Sequence, residues 1–505
     1  MKNNRIAPKF VKNNIYNWIS FILTQGGGII FTVIIARMLS PESFGIYTLA
    51  LSVVLILMTI ADLGINESMV RYISMSIKNK SKIKSYFLYF SKLKIAILFI
   101  VSLILLIFSK LISHFYNKEQ LYPLLLIGSL YLFIYPIMQF LSSFCFAQNN
   151  LRQVVYKDAV FNSLRIFLIT LTPLFSFITL SALPLIFAII SAAISILFCA
   201  VYIYLNYSFI FKFKSVSIDK KEIHSYTKYL SISSISALLL VYTDIVILGK
   251  FVDTGSLGFY RAASSIAILL STLFSVGSLL YPFLTQLEIK RINSLFKITI
   301  RYLLILTIPL MFGTLFLAKY FIRFLFDYSY LPSTIPLYSL LPLIIILPLG
   351  DLYRFFINSQ GESKITARVV IFTSLLNIFL VILLISIFLN FGAIYATVGA
   401  GIAIVLSRFY MLSSLLRYSK EKFGLSFDYN LFIRPLIASG IMSIFLFYFL
   451  LEFQGSFTVL LGLLSIIGGI IIYFISLYLI QGISKKDFIY LKAIIREIFG
   501  KSKIN

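Results

Sequence analysis

Apolar residues run through this chain in stretches of about 20 broken only by short polar segments, the length a helix needs to cross a hydrocarbon core of roughly 30 Å. The runs are continuous and do not alternate with period two, which predicts membrane-spanning helices and not a barrel. Fourteen spans are predicted, near residues 15–36, 44–65, 86–109, 121–146, 159–180, 183–205, 228–251, 257–282, 298–318, 333–356, 367–389, 392–416, 431–452 and 457–480. Pro173 and Pro184 punctuate the stretch that holds the fifth and sixth. The expected fold is an all-α integral membrane protein.

Composition agrees: the 505 residues are 60% hydrophobic and only 12% charged, with a mean hydropathy of +0.98, far too apolar for a soluble enzyme. A formal net charge of +26 would point to nucleic acid in a soluble domain, but its distribution here argues otherwise. With the N-terminus in the cytoplasm, 37 Lys and Arg fall on the inner side and 7 on the outer, as the positive-inside rule requires. Both termini are then cytoplasmic, and the charge serves topology and attraction to anionic membrane lipids, with no nucleic-acid partner. The basic start MKNNRIAPKFVKNN leads into a full-length span, so no cleavable leader is expected.

The span pattern contains a repeat. Ile35 to Ser52 reads IARMLSPESFGIYTLALS, and Leu248 to Ser265 reads LGKFVDTGSLGFYRAASS. At an offset of 213 they share Ser43/Ser256, Gly45/Gly258, Tyr47/Tyr260, Ala50/Ala263 and Ser52/Ser265, with Arg37 on Lys250. Gln148 and Gln360 echo the pattern 212 apart. Six spans separate the copies, an even number, so they run in the same direction. The predicted plan is two parallel six-helix lobes, 1–212 and 213–424, then two further helices in 425–482 and a cytoplasmic tail, 483–505. In the tail Phe488, Leu491, Ile494, Ile495 and Ile498 recur at helical spacing among Lys485, Lys486, Lys492 and Arg496, the pattern of an interfacial amphipathic helix.

Covalent chemistry finds little support. There is no GxxxxGK[ST] loop, and His114 and His224 fall on opposite faces. Cys145 and Cys199 sit in separate spans and read as packing residues. No cofactor or metal site is expected, and no outer loop is long enough to house an enzyme domain. Charges inside spans are costly and rare, so they are the default candidates for function. Arg408, Asp244 and Arg261 lie deepest. Asp62, Arg165, Asp351 and Arg354 lie near inner ends, and Arg37 and Lys250 at outer ends, where long side chains also snorkel or anchor. Two of the deep charges are departures between the repeats: Thr48 corresponds to Arg261, and Phe31 to Asp244.

The string ARMLSPESFGIYTLALS, followed by ADLGINESMVRYIS at Ala61 to Ser74, resembles the N-terminal signature of Wzx-type polysaccharide flippases. YTDIVILGKFVDTGSLGFYRAASS at Tyr242 to Ser265 and LLNIFLVILLISIFLNFGAIYATVGAGIA at Leu375 to Ala403 resemble the family's second-lobe signatures. That family belongs to the superfamily of MATE drug exporters and lipid II flippases. The resemblance implies translocation of an undecaprenyl-diphosphate-linked oligosaccharide from the cytoplasmic to the outer leaflet of a bacterial inner membrane, for O-antigen, capsule or exopolysaccharide synthesis. It implies as partners the polymerase and chain-length proteins of such a pathway, and leaves coupling to a proton or sodium gradient open. The alternative is a MATE-like small-molecule or cation antiporter, against which stands the absence of an acidic residue in the first span. A diphosphate cargo needs cations to receive it, which returns attention to the intramembrane arginines.

Overall fold

The computed structural model describes residues 6–172, 180–285, 289–425, 428–453 and 458–483, and among these every regular element is helical. In order these are α1 (Ile6–Met38), α2 (Pro41–Asp62), α3 (Ile65–Met75), α4 (Lys80–Tyr116), α5 (Leu121–Ala147), α6 (Leu151–Thr170), α7 (Leu183–Asn206), the single turn α8 (Phe209–Lys212), α9 (Lys220–Phe251), α10 (Thr254–Thr272), α11 (Gly277–Leu284) and α12 (Ile289–Leu325). A short 3-10 turn (Tyr328–Ser333) leads to α13 (Thr334–Leu340), α14 (Leu343–Ser359), α15 (Ser363–Leu389), α16 (Ala393–Phe423), α17 (Asn430–Glu452) and α18 (Val459–Leu479).

Each of the fourteen predicted spans overlaps a helix, or a helix broken in two, among the described residues; residues 173–179 of the fifth and 457 of the fourteenth lie outside them. Nine helices among the described residues are long and apolar enough to cross a membrane, and the pair Tyr328–Leu340 and Leu343–Ser359, bent by 47°, adds a tenth. The differences from the sequence reading lie at the breaks. The second span continues past Asp62 into α3 across Leu63 and Gly64, both left-handed at φ 46° and 67°. The fifth starts earlier than predicted, at Leu151, which carries Lys157 and Asp158 into the helix. The eighth divides into α10 and α11. The tail residues 484–505, including the expected amphipathic helix, lie outside the described residues.

The chain forms two compact units: Met1–Ser265 with Leu325–Pro336 and Val370–Ser407, and Ile266–Phe324 with Leu337–Val369 and Arg408–Asn505. In the first, α3, α4 and α5 pack through an aromatic-rich cluster that includes Tyr72, Phe90, Phe140 and Phe144. In the second, α17 packs on α18 around Met442, Leu446, Tyr473 and Leu477, and the Tyr473 hydroxyl donates to Ile305 O at 2.7 Å.

The repeated motif explains itself as a helix start made twice. Ser40 caps α2, accepting from Ser43 N, and Pro41 fills the first turn where its missing N–H costs nothing. Asp253, the equivalent of Ser40, accepts from Ser256 N at 2.8 Å and Ser256 Oγ at 2.7 Å. The two helix starts also meet. A Cβ on Gly45 would lie 1.8 Å from Thr254 O, and a Cβ on Gly258 would lie 2.0 Å from Pro41 O. Pro41 and Thr254 are themselves equivalent at the offset of 213, so the contact is reciprocal, as a pseudo-twofold axis along the helices demands. Only glycine allows backbones this close.

Candidate functional site

The reciprocal pattern extends over the cation-poor end of the first unit and accounts for several intramembrane cations. Arg37 Nε donates to Leu325 O at 2.8 Å at the end of α12, while its equivalent Lys250 donates to Phe115 O at the end of α4 and lies 4.6 Å from the Phe115 ring. Tyr330 Oη donates to Leu39 O at 3.1 Å, and Lys118 Nζ to Val252 O at 3.0 Å, Leu39 and Val252 being equivalents. These are caps on carbonyls that the last turns of helices leave without partners. Asp62 is likewise engaged, in an ion pair with Lys94, a side chain only 1% exposed.

Away from these ends, six helices of the first unit bring charged and phenolic groups together. On α6, Asp158, Asn162 and Arg165 fall at i, i+4 and i+7, one face of a helix. Arg165 donates to Asn162 Oδ1 at 2.6 Å, and its guanidinium lies between the rings of Phe31 on α1 and Phe161, at 4.7 and 4.9 Å. Its Nε has no partner although it is shielded from solvent. Small residues on α1 make room: the guanidinium lies 3.6 Å from where a Cβ on Gly28 would sit, and a Cβ on Gly27 would clash with Asn162.

Arg261 on α10 supplies the second cation. Its charge and that of Arg165 both act on Tyr47 of α2. Arg165 also acts on Tyr131 and Tyr135 of α5, and Arg261 on Tyr242 and Asp244 of α9. Asp244 is 4% exposed; it accepts a hydrogen bond from Tyr260 at 2.5 Å through one oxygen, and the other oxygen has no partner. A polar chain continues from Tyr135 through Gln139, which donates to its hydroxyl at 2.8 Å, to Lys157 Nζ at 3.5 Å from Gln139 Oε1. Lys157 pairs with Asp158, which accepts from Ser20 on α1. Among the described residues, Arg165, Arg261 and Lys157 thus stand against two carboxylates, a net positive set among aromatic rings and phenol hydroxyls.

Of the residues proposed from the sequence, Arg165, Arg261 and Asp244 are brought together. Arg37, Lys250 and Asp62 are tied to helix ends or an ion pair. Arg354 belongs to the second unit, where it pairs with Asp351 at 2.8 Å while Ser275 Oγ donates to the other Asp351 oxygen at 2.7 Å. Arg408 also belongs to the second unit, half-buried on α16 and beside Ser407, whose hydroxyl donates to Asn377. Gln148 and Gln360 occupy matching positions as C-caps of α5 and α14. Sequence reasoning missed Lys157, Asp158, Lys94 and the tyrosines. The stripe from Asp158 to Arg165 was the available signal, hidden by starting the fifth span at residue 159.

A helical membrane architecture with a duplicated helix start and a cationic, aromatic-lined interior defines a carrier-like fold. The model of the polysaccharide biosynthesis protein family matches residues 10–288, more than half of the chain, and the chain belongs to that family. An uncharacterized membrane protein, MJ1068, of Methanocaldococcus jannaschii is 24% identical over 442 residues, spanning 81% of this chain and 85% of its own. Among solved structures, the fold is similar to the lipid II flippase MurJ in an inward closed conformation, with a TM-score of 0.74 and 18% identity, covering 94% of this chain and 99% of that one. It is also similar to an inward-facing multidrug resistance MATE family transporter of the MOP superfamily, with a TM-score of 0.63 and 12% identity over 82% of this chain and 98% of that one.

Proposed function

We propose that this protein is a flippase that moves an undecaprenyl-diphosphate-linked oligosaccharide from the cytoplasmic to the outer leaflet of the membrane, in the synthesis of O-antigen, capsule or exopolysaccharide. The observation that carries the reading is Arg165, its guanidinium against the rings of Phe31 and Phe161 and its shielded Nε without a partner, in a member of the polysaccharide biosynthesis protein family. The hydrated head of such a cargo cannot enter hydrocarbon, whereas its prenyl tail need not leave it. A diphosphate stripped of water needs cations, and guanidinium forks match phosphate oxygens two at a time. Tyrosines offer hydroxyls to the sugar and ring faces to its apolar edges. The meeting of Gly45 with Gly258 is then one end state of an alternating-access cycle, closed toward the outer side.

The positive balance of the interior favours an anionic cargo over the cationic drugs of an antiporter. The test is the purified chain in sealed vesicles carrying either a diphosphate-linked oligosaccharide lipid, scored by lectin access, or a cationic dye. Movement of the glycolipid supports the reading. Export of the dye with the glycolipid left in its original leaflet ends it. Imposing proton or sodium gradients on the same vesicles tests coupling.

A further inference from the structure

The segment that joins α7 to α9, in the first unit, presents a surface that the transport reading does not use. Leu197, Val201, Tyr204 and Leu205 fall at i, i+4, i+7 and i+8 on one face of α7, and each is more than half exposed, so this face is turned to lipid. α7 ends at Asn206, and the turn α8 then sets the Phe211 ring 5.7 Å from that of Tyr204. Phe211 is 61% exposed and extends the lipid-facing stripe past the end of the span. Phe213 and Val216, also exposed, follow it.

Cations alternate with these rings. Residues 211–214 read Phe-Lys-Phe-Lys, and the start of α4 adds Lys80, Lys82 and Lys84. The segment is fixed on α4. Lys80 Nζ lies 5.7 Å from the Phe209 ring and 5.9 Å from the Phe213 ring, Lys84 Nζ donates to Phe211 O at 3.4 Å, and Val216 N donates to Ser85 Oγ at 2.7 Å. Residues 76–100 and 207–218 contain no carboxylate, and among the described residues none pairs with these five lysines. Asp219 and Glu222, at the start of α9, are matched by Lys220 and Lys221 between them; Asp219 caps α9, and Glu222 accepts from Tyr72.

Aromatic rings level with the end of a spanning helix, with ammonium groups between them, match the boundary of an anionic leaflet. There rings enter the glycerol region and lysines meet phosphates. A water-soluble partner has no route to Phe211 on the lipid-facing side of α7. We propose that α8 and residues 213–216, with the start of α4, form a binding surface for anionic phospholipid headgroups of the cation-rich leaflet. Phe211 and Phe213 sit among the lipids, and Lys80, Lys82, Lys212 and Lys214 lie on their phosphates. The surface is independent of what the protein carries.

The chain has one tryptophan, Trp18, so Trp18→Phe combined with Phe211→Trp leaves a single fluorophore, at the proposed contact. The full chain with these two changes is placed in vesicles of equal parts phosphatidylglycerol and phosphatidylcholine, with bromine on the upper chains of one lipid or the other. Brominated phosphatidylglycerol is expected to quench the fluorescence at least about twofold more than brominated phosphatidylcholine. Adding Lys80→Gln, Lys212→Gln and Lys214→Gln, all at exposed positions, is expected to make the two equal. Equal quenching by the two lipids with every lysine in place overturns the proposal, as does a lysine variant that keeps the full preference. A fluorophore reached by aqueous iodide and by neither brominated lipid also overturns it, and is the result a site for a soluble protein would give.

Discussion

Arg165 is the residue to which the proposed function assigns the anion. Two aromatic faces, one hydrogen bond to Asn162 and a glycine opposite fix its plane, while Nε remains without a partner. Each cation–π contact contributes about 0.5–1 kcal/mol, so the geometry is held with little competition for the guanidinium edge. Arg165→Gln and Arg261→Gln are each expected to slow flipping at least about tenfold, which corresponds to about 1.4 kcal/mol, with membrane insertion intact. Arg165→Lys should recover little, because an ammonium has no plane to stack and no fork. The check is transport rate in vesicles, normalised to inserted protein. Lys94 has a different task, neutralising Asp62 inside the helix packing. Lys94→Ala should cost about 3 kcal/mol by stranding that carboxylate, whereas Lys94→Met combined with Asp62→Leu should restore most of the loss. Thermal unfolding in detergent distinguishes the two; equal losses would mean that the pair contributes through packing alone.

Among the elements, the starts of α2 and α10 matter most. A methyl group on either Gly45 or Gly258 cannot be accommodated against a backbone oxygen 1.8 or 2.0 Å away, so Gly45→Ala and Gly258→Ala must push these helix ends apart. In a chain with Cys145 and Cys199 changed to Ser, a cysteine replacing the buried Ser256 is expected to label slowly with a water-soluble maleimide. Gly45→Ala should raise that rate severalfold by favouring the separated state; an unchanged rate would show that the contact does not govern access. The two helix starts were legible in the sequence, because capping residue, glycine and spacing are all local features; that they meet was not, since that contact joins residues 213 apart. The positions of the fourteen spans were legible for the same reason, since apolar length is written directly in the chain. The breaks were less so. Pro342 between α13 and α14 and Gly64 after Leu63 mark these breaks locally, but a reading by apolar length alone passes over them.

At the scale of the molecule, the repeat found Arg261 and Asp244 as departures from symmetry; Arg261 acts on Tyr47 as Arg165 does, and Arg165 sits in neither repeated segment. The rest of the interior was hidden by two assumptions that are usually sound. Tyrosines such as Tyr47 and Tyr131 count as apolar in a hydropathy pattern, so their hydroxyls leave no trace there. Lys157 and Asp158 fall just outside a predicted span and Lys94 in the inner part of one, where charges ordinarily reach water; here all three lie within helices, and Lys94, Lys157 and Asp158 are 1%, 3% and 6% exposed. Under the proposed function, what unites the cations, tyrosines and duplicated helix start is the handling of an anionic head attached to a lipid. The decisive comparison is the flipping rate, in sealed vesicles, of one oligosaccharide linked to the same prenyl chain either through diphosphate or through an uncharged ether. The diphosphate form is predicted to move at least about tenfold faster, and the Arg165→Gln, Arg261→Gln double variant to erase the difference. Equal rates for the two lipids in the unaltered protein, or a double variant that keeps the full preference, would remove the anion-receiving interior from the mechanism.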